Sequence, residues 1–350
     1  MKAGMLTLAV AAAAVALLAP PASAQELPKT HLKVAGGLSN LTAFTDYEKP
    51  FWTKTIPERS KGQVTAEIKG FNEMGIKGPE LLRLLGSGVL EFGTATLSYF
   101  ASDNPINEAI DLAGLAPDVK TAREVTNAFE PVLAKFYGQG SNVKLLGIST
   151  YPAQVFFCNA DIKGLADIKG KKVRTSSRTQ ADFVEALGGT SVTMAFGEVV
   201  PALQNKVVDC AITGSLSGYS AKWYEVSTHL VALPINWNQQ IHAVNGKAWA
   251  KFTPALQTFL QTEVNGLVNQ IWDAAARQTQ EGFDCNTGAA ACTQPVKGKM
   301  TLVVPSAADR ELLAKIRGAV IEKWAARCSP QCVNDFNATI GKVVGVTAKK

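Results

Sequence analysis

The sequence predicts an α/β fold. Runs of apolar and polar alternation recur along the chain, and segments with apolar residues every three or four positions stand between them. Strand, helix and strand follow one another in the order that builds βαβ units, so a sheet flanked by helices is the simplest way to bury both patterns. A third regularity is a helical stretch over residues 254–282. Its length of roughly 40 Å is more than one small domain needs.

The first predicted strand covers 31–35. A helix-like stretch carrying Phe44, Tyr47, Phe51, Trp52 and Ile56 follows it, and then a period-two strand over 64–68. Gly78-Pro79-Glu80 opens a helix with leucines at 81, 82, 84 and 85, which Gly86 and Gly88 end before a strand over 90–96. Further strands are predicted over 143–148, 154–158, 172–174, 191–194, 208–213 and 241–245. In the long helical stretch, Leu256, Leu260, Val264, Leu267, Ile271 and Ala275 keep the spacing, and Gly266 is its one breaker. Residues 285–299 read as a loop, 300–304 as a strand, and 307–326 and 333–340 as closing helices.

Lys2 precedes an apolar run from Met5 to Leu18, and the segment closes on Ala22-Ser23-Ala24. This is the pattern of a cleavable signal peptide over residues 1–24. The run is shorter than the roughly 20 residues of a membrane span, a retained anchor helix being the competing reading. No cysteine follows Ala24 to carry a lipid, so a chain free in the periplasm is expected. The 350 residues leave room for two domains of ordinary size or one large α/β unit.

Lys and Arg number 35 against 29 Asp and Glu, a formal net charge of +6. The bases are scattered and often sit beside acids, as Arg59 and Lys61 do after Glu58, which argues against nucleic acid as a partner. The cysteines are Cys158, Cys210, Cys285, Cys292, Cys328 and Cys332, and in an oxidising compartment they are expected to pair. Pairing Cys285 with Cys292 and Cys328 with Cys332 closes short loops and leaves Cys158 for Cys210. A cross-pairing of the two C-terminal loops is the rival. No metal is expected, because His31, His229 and His242 lie far from the cysteines in sequence and no C-x-x-C occurs.

Catalytic patterns are thin. There is no G-x-S-x-G elbow, and Gly36-Gly37 lacks the spacing of a phosphate loop. A serine triad on one of the three histidines is arithmetically open, but no serine is marked for it. No cofactor is expected.

The informative segment is 164–218. Residues 165–174 lead from a short helical turn through a strand to Arg174, and Thr175-Ser176-Ser177 caps a helix carrying Phe183, Val184 and Leu187 that stops at Gly188-Gly189. An arginine at the carboxyl end of a strand, beside a helix N-terminus, sits where open α/β sheets bind anions. Its fixed donors match a carboxylate bidentately. A surface arginine or one paired with an internal acid is the alternative, and Arg178 is expected to be solvated.

Asp167-Ile168-Lys169-Gly170, Val173-Arg174, Gln180-Ala181-Asp182, Ala186-Leu187-Gly188, Met194-Ala195-Phe196-Gly197-Glu198-Val199, Ala202-Leu203-Gln204 and Val207-Val208-Asp209 follow in this order. With Asn72-Glu73-Met74-Gly75, Pro79-Glu80-Leu81 and Lys222-Trp223-Tyr224-Glu225-Val226, they make the chain resemble the solute-binding proteins of tripartite ATP-independent periplasmic (TRAP) transporters, of the DctP type.

The resemblance implies a two-lobed periplasmic binding protein fold with cross-over strands and a long helix spanning the lobes. Lobe I would take 25–150 with 214–252, and lobe II 151–213 with 253–350, including the helix 254–282 and the C-terminal helices. It implies a monomer that captures a small organic acid by hinge closure and delivers it to integral-membrane permease subunits. A ligand-presenting sensor subunit and a periplasmic hydrolase are the rival functions. By the same resemblance Arg174 bonds the ligand carboxylate and Phe196 falls on an aromatic wall. Gln154 falls where some relatives carry a second arginine, and Glu73 near a polar position of the cleft. Cys158 and Cys210 fall on strands near the cross-over.

Where the family commonly reads Asp-Gly-Ala-Glu-Asn-Pro, this chain has Asp209-Cys210-Ala211-Ile212-Thr213-Gly214, so Thr213 replaces an amide and Ile212 an acid. A different polar pattern in the pocket is therefore expected. Asn236-Trp237-Asn238 offers an aromatic face with two amides as a further candidate for the cleft wall, with a core position for Trp237 as the alternative.

Overall fold

The computed structural model describes residues 26–350, so the segment read as a signal peptide lies outside the described residues. Eleven strands form two sheets. The first holds β1 (Thr30–Gly36), β2 (Val64–Gly70), β3 (Phe92–Thr96), β4 (Val143–Ser149) and β10 (Gln240–Asn245), in the order β2-β1-β3-β10-β4. The second holds β5 (Gln154–Cys158), β6 (Lys172–Thr175), β7 (Thr190–Thr193), β8 (Cys210–Gly214), β9 (His229–Val231) and β11 (Thr301–Val303), in the order β11-β9-β5-β8-β6-β7.

Each sheet is the core of one lobe. β1 runs parallel to β2 and β3, while β10 enters antiparallel between β3 and β4. In the second sheet β6 is parallel to β7 and β8, and β5 is antiparallel to β8 and β9. The chain crosses from one sheet to the other over 150–153 and returns over 232–239. The two crossings touch where Gln154 bridges Asn236. β9 therefore belongs to the second sheet, and the segment 214–231, expected with the first lobe, packs with the second. Its three-residue strand has no alternation to reveal it.

A third crossing is made by the helix Pro254–Thr287. Pro254 occupies its first turn, Thr253 Oγ1 accepts from the Leu256 amide at 3.3 Å, and Gly288 ends it at φ 77°. Its 34 residues span about 51 Å. Leu256, Leu260, Val264, Leu267 and Ile271 pack on the first lobe. Nearer its C-terminus, Gly282 lies against the turn at Ser215 and Leu216. A Cβ at 282 would come within 2.3 Å of the Leu216 nitrogen, so only glycine lets the second lobe seat this closely. The helix runs on through Cys285, so the loop begins three residues later than the sequence suggests.

Two further elements depart from the sequence reading. The helix Val119–Gly140, capped by Asp118 Oδ1 on the Thr121 amide at 2.8 Å, has no predicted counterpart. Pro131, Gly138 and Gly140 hide its periodicity, although Val125, Phe129, Leu133 and Tyr137 fill the core. The helix expected around residue 50 is widened into π turns over Ala43–Glu48 and Phe51–Thr55, parted by Lys49 and Pro50, and ends in the α turn Ile56–Arg59. The wide turn carries Glu48 into the interior, 1 % exposed, where Oε2 accepts from the Gly37 amide at 3.0 Å.

Three disulfides join Cys158 to Cys210, Cys285 to Cys292 and Cys328 to Cys332. The first ties directly opposed residues of the antiparallel pair β5 and β8, with Cα atoms 4.0 Å apart. Among the described residues no helix is long and apolar enough to cross a membrane.

Two predictions follow from this packing. Closing a segment of 52 residues, the Cys158–Cys210 bridge restrains the unfolded chain far more than the two short ones. Replacing both with Ala should lower stability by about 2–4 kcal/mol in a denaturant titration. An unchanged midpoint would show that the bridge does not form. Burial raises the Glu48 carboxyl from 4.5 to about 7, the Gly37 amide opposing the rise. The folded chain thus keeps a proton that the unfolded chain loses, and this contribution is full below pH 4.5 and lost as pH rises through about 7. Glu48→Gln keeps an acceptor for Gly37 and cannot ionise. Its melting temperature should gain steadily on wild type from pH 5 to pH 8, and parallel curves would contradict the assignment.

Candidate functional site

The two sheets present the carboxyl ends of their parallel strands to a shared crevice, the position at which open α/β sheets bind ligands. A pocket of about 320 Å³, counted with its opening to solvent, lies there. Leu38 and Leu41, which follow β1, and Thr96 and Tyr99, at the end of β3, form the first-lobe wall. Tyr151, Gln154 and Asn238 come from the two crossings. Arg174, Ser176, Phe196, Thr213 and Ser217 form the second-lobe wall.

Arg174 is the centre of the site. It stands near the end of β6, between β7 and β8, and is 3 % exposed. Nε and one terminal nitrogen donate to the Met194 carbonyl at 3.2 Å, and the other terminal nitrogen donates to the Ile212 carbonyl at 2.8 Å. Three of the five N–H donors are thereby used, and one remains on each terminal nitrogen. Among the described residues no carboxylate lies within salt-bridge distance of it. Burial lowers its pKa from 12.5 to about 10, with Tyr99 and Glu198 opposing the fall, so the side chain is charged at neutral pH. A guanidinium taken out of water without a counter-ion costs several kcal/mol, which three hydrogen bonds to two neutral carbonyls offset only in part.

The flanking groups are neutral donors and acceptors. Burial raises the Tyr99 and Tyr151 phenols, so both keep their protons, and the Arg174 charge moderates the rise at Tyr99. Gln154 Nε2 donates to the Pro152 carbonyl at 3.0 Å, which fixes the amide against the wall. Gly214 sits beside it. A Cβ there would come within 2.7 Å of Ser217 Oγ and 3.1 Å of Gln154 Nε2, so glycine keeps this corner open. Ser177 caps the helix Arg178–Ala186 through the Gln180 amide at 3.2 Å, turning Ser176 toward the cavity. Phe196 stacks on Trp223 with ring centroids 5.4 Å apart and an interplanar angle of 26°.

Of the residues singled out from the sequence, Arg174, Phe196, Thr213 and Gln154 line this one cavity. Glu73 does not. It lies exposed in the turn after β2, and its Oε2 accepts from the Gly70 amide at 3.2 Å. Trp237 does not either. Its indole is buried in the core of the second lobe and donates to the Ala116 carbonyl at 3.0 Å, while Asn238, at φ 54°, turns to the cavity in its place. Ile212 also faces the core, and it serves the site through its carbonyl.

Tyr99, Tyr151, Thr96, Leu38, Leu41 and Ser217 escape the sequence reading, because no local pattern marks them and only the fold brings them together. None of the three histidines lines the cavity. His242 lies buried between Thr94 Oγ1 at 3.2 Å and Ser149 Oγ at 2.8 Å, and burial lowers its pKa to about 4. Among the described residues no group of three or more His, Cys, Asp or Glu side chains could hold a metal ion.

Known proteins fit this architecture. The sialic acid-binding periplasmic protein SiaP of Vibrio cholerae is 24% identical over 260 residues, covering 71% of this chain and 78% of its own. The 2,3-diketo-L-gulonate-binding periplasmic protein YiaO of Escherichia coli is 21% identical over 65% of this chain and 70% of its own. The chain spans 50% of the length of a third relative, the uncharacterized protein y4mM of Sinorhizobium fredii, at 22% identity over 81% of this chain. Among solved structures, a TRAP periplasmic solute-binding protein from Desulfovibrio salexigens with bound orotic acid superposes with a TM-score of 0.78 at 20% identity, over 90% of this chain and 99% of that one. DctP7 of Bordetella pertussis, a receptor binding pyroglutamic acid, gives 0.77 at 18% identity, over 88% and 99%. The family model for bacterial extracellular solute-binding protein family 7, DctP, matches residues 42–310, and the chain belongs to that family.

Proposed function

We propose that the protein captures a small organic anion in the periplasm, through a carboxylate bound to Arg174, and delivers it to the integral-membrane permease of a TRAP-type transporter. The observation that carries this reading is a buried guanidinium, 3 % exposed, with two free donors turned to a cavity and no acid of its own. A ligand carboxylate would supply the missing charge and satisfy both donors. The acid ligands of the Bordetella and Desulfovibrio neighbours, pyroglutamic and orotic, support the same chemistry here.

The cavity is bounded by both lobes, so a ligand that touches Arg174 on one wall and Tyr99 on the other favours the closed arrangement. Closure about the crossings then changes the outer surface that a membrane partner meets. The leader pattern from Lys2 to Ala24 supports export, and a periplasmic location makes the three disulfides durable.

A thermal-shift screen of organic acids identifies the ligand, and calorimetry on Arg174→Ala then measures the role of the charge. The expected loss is about 2–5 kcal/mol of binding free energy, because the substitution strands a buried carboxylate. Unchanged affinity would remove Arg174 from the site. An Arg174→Lys variant should recover only part of the loss, since an ammonium cannot make the paired contact.

A further inference from the structure

The cavity holds one positive charge and no means of holding a second anion. Among the described residues Arg174 is the only charged side chain on its walls, and its two unused N–H groups match one carboxylate. The cavity also meets Leu38, Leu41 and Phe196, which pack with Tyr151 into a small apolar cluster. An acid stands close to Tyr151 of that cluster. Glu48 accepts from the Gly37 amide, one residue before Leu38, and its other oxygen is buried without a partner among the described residues. Gln154 is an amide whose nitrogen already donates to the Pro152 carbonyl.

We infer that this site selects a small monocarboxylate, with the acid group on Arg174 and an uncharged body carrying apolar surface and at most a few hydroxyl, carbonyl or amide groups. A second carboxylate would be buried against leucine and phenylalanine, with no cation to compensate it. The tyrosine and threonine hydroxyls can satisfy a neutral polar group, but they cannot neutralise a charge.

The inference rests on the anion-binding reading and adds to it a charge limit that this chain's own walls impose. The test uses the full mature protein and calorimetric titration with matched pairs that differ by one carboxylate: lactate with malate, pyruvate with oxaloacetate, pyrrolidine-2-carboxylate with its 2,5-dicarboxylate, and benzoate with phthalate. In every pair that gives saturable binding, the monocarboxylate should bind at least tenfold more tightly. A dicarboxylate that binds as tightly as its partner, or more tightly, overturns the charge limit and leaves anion capture intact. Absence of binding by every acid of both kinds overturns the inference together with the reading beneath it.

Discussion

Two chain crossings at the waist of the molecule must bury irregular backbone, and the carboxylate of Asp111 makes this tolerable. Backbone amides outside helices and ladders need partners when water is excluded. Asp111 accepts from the Trp237 amide at 2.8 Å, from the Asn238 amide at 3.0 Å and from Asn236 Nδ2 at 2.6 Å. Gln180 Nε2 then donates to Asn236 Oδ1 at 3.0 Å, and Thr150 Oγ1 to the Trp237 carbonyl at 3.1 Å. One carboxylate from the first lobe thus fixes the return crossing and positions Asn238 and Gln154 in the cavity. Burial raises the Asp111 pKa to about 7, against these donors, which shows how dry the waist is.

A second buried network ties the lobes on another side. Arg327 donates to Asp182 at 2.8 Å and to Glu108 at 3.2 Å, and the two acids come from different lobes. Here the positive charge has carboxylates on both sides and is structurally complete. Arg174, equally charged, is surrounded by carbonyls and hydroxyls. The contrast between the two arginines, one with its acids and one without, distinguishes a structural ion pair from a candidate ligand site.

Much of this was legible in the sequence, for physical reasons. Strands such as β2 alternate because one face is wet, and the helix Pro254–Thr287 keeps its period because the two lobes bury one stripe of it along most of its length. Arg174 could be placed because strand end, cap and helix follow one another locally, while a ligand role for it came only from the family resemblance. Most of the cavity's far wall could not, since Leu41, Tyr99 and Tyr151 are distant in sequence and meet only through the crossings. Trp237 shows the limit most clearly: in a tripeptide of two amides and an indole, the positive φ of Asn238 decides which side chain turns to the cavity, and no propensity reveals that turn.

The interleaving of the chain also dictates when it can fold. The first sheet draws strands from 30–96, 143–149 and 240–245, and the C-terminal helices Pro330–Ala338 and Ile340–Val344 pack back on the helix Val119–Gly140. Trp324, near the end of the chain, donates to the Pro105 carbonyl at 2.8 Å. Neither lobe is a continuous stretch that a ribosome could release and let collapse by itself, and contacts so distant in sequence form slowly. A chain built this way cannot complete the core of either lobe until its last segments have been made.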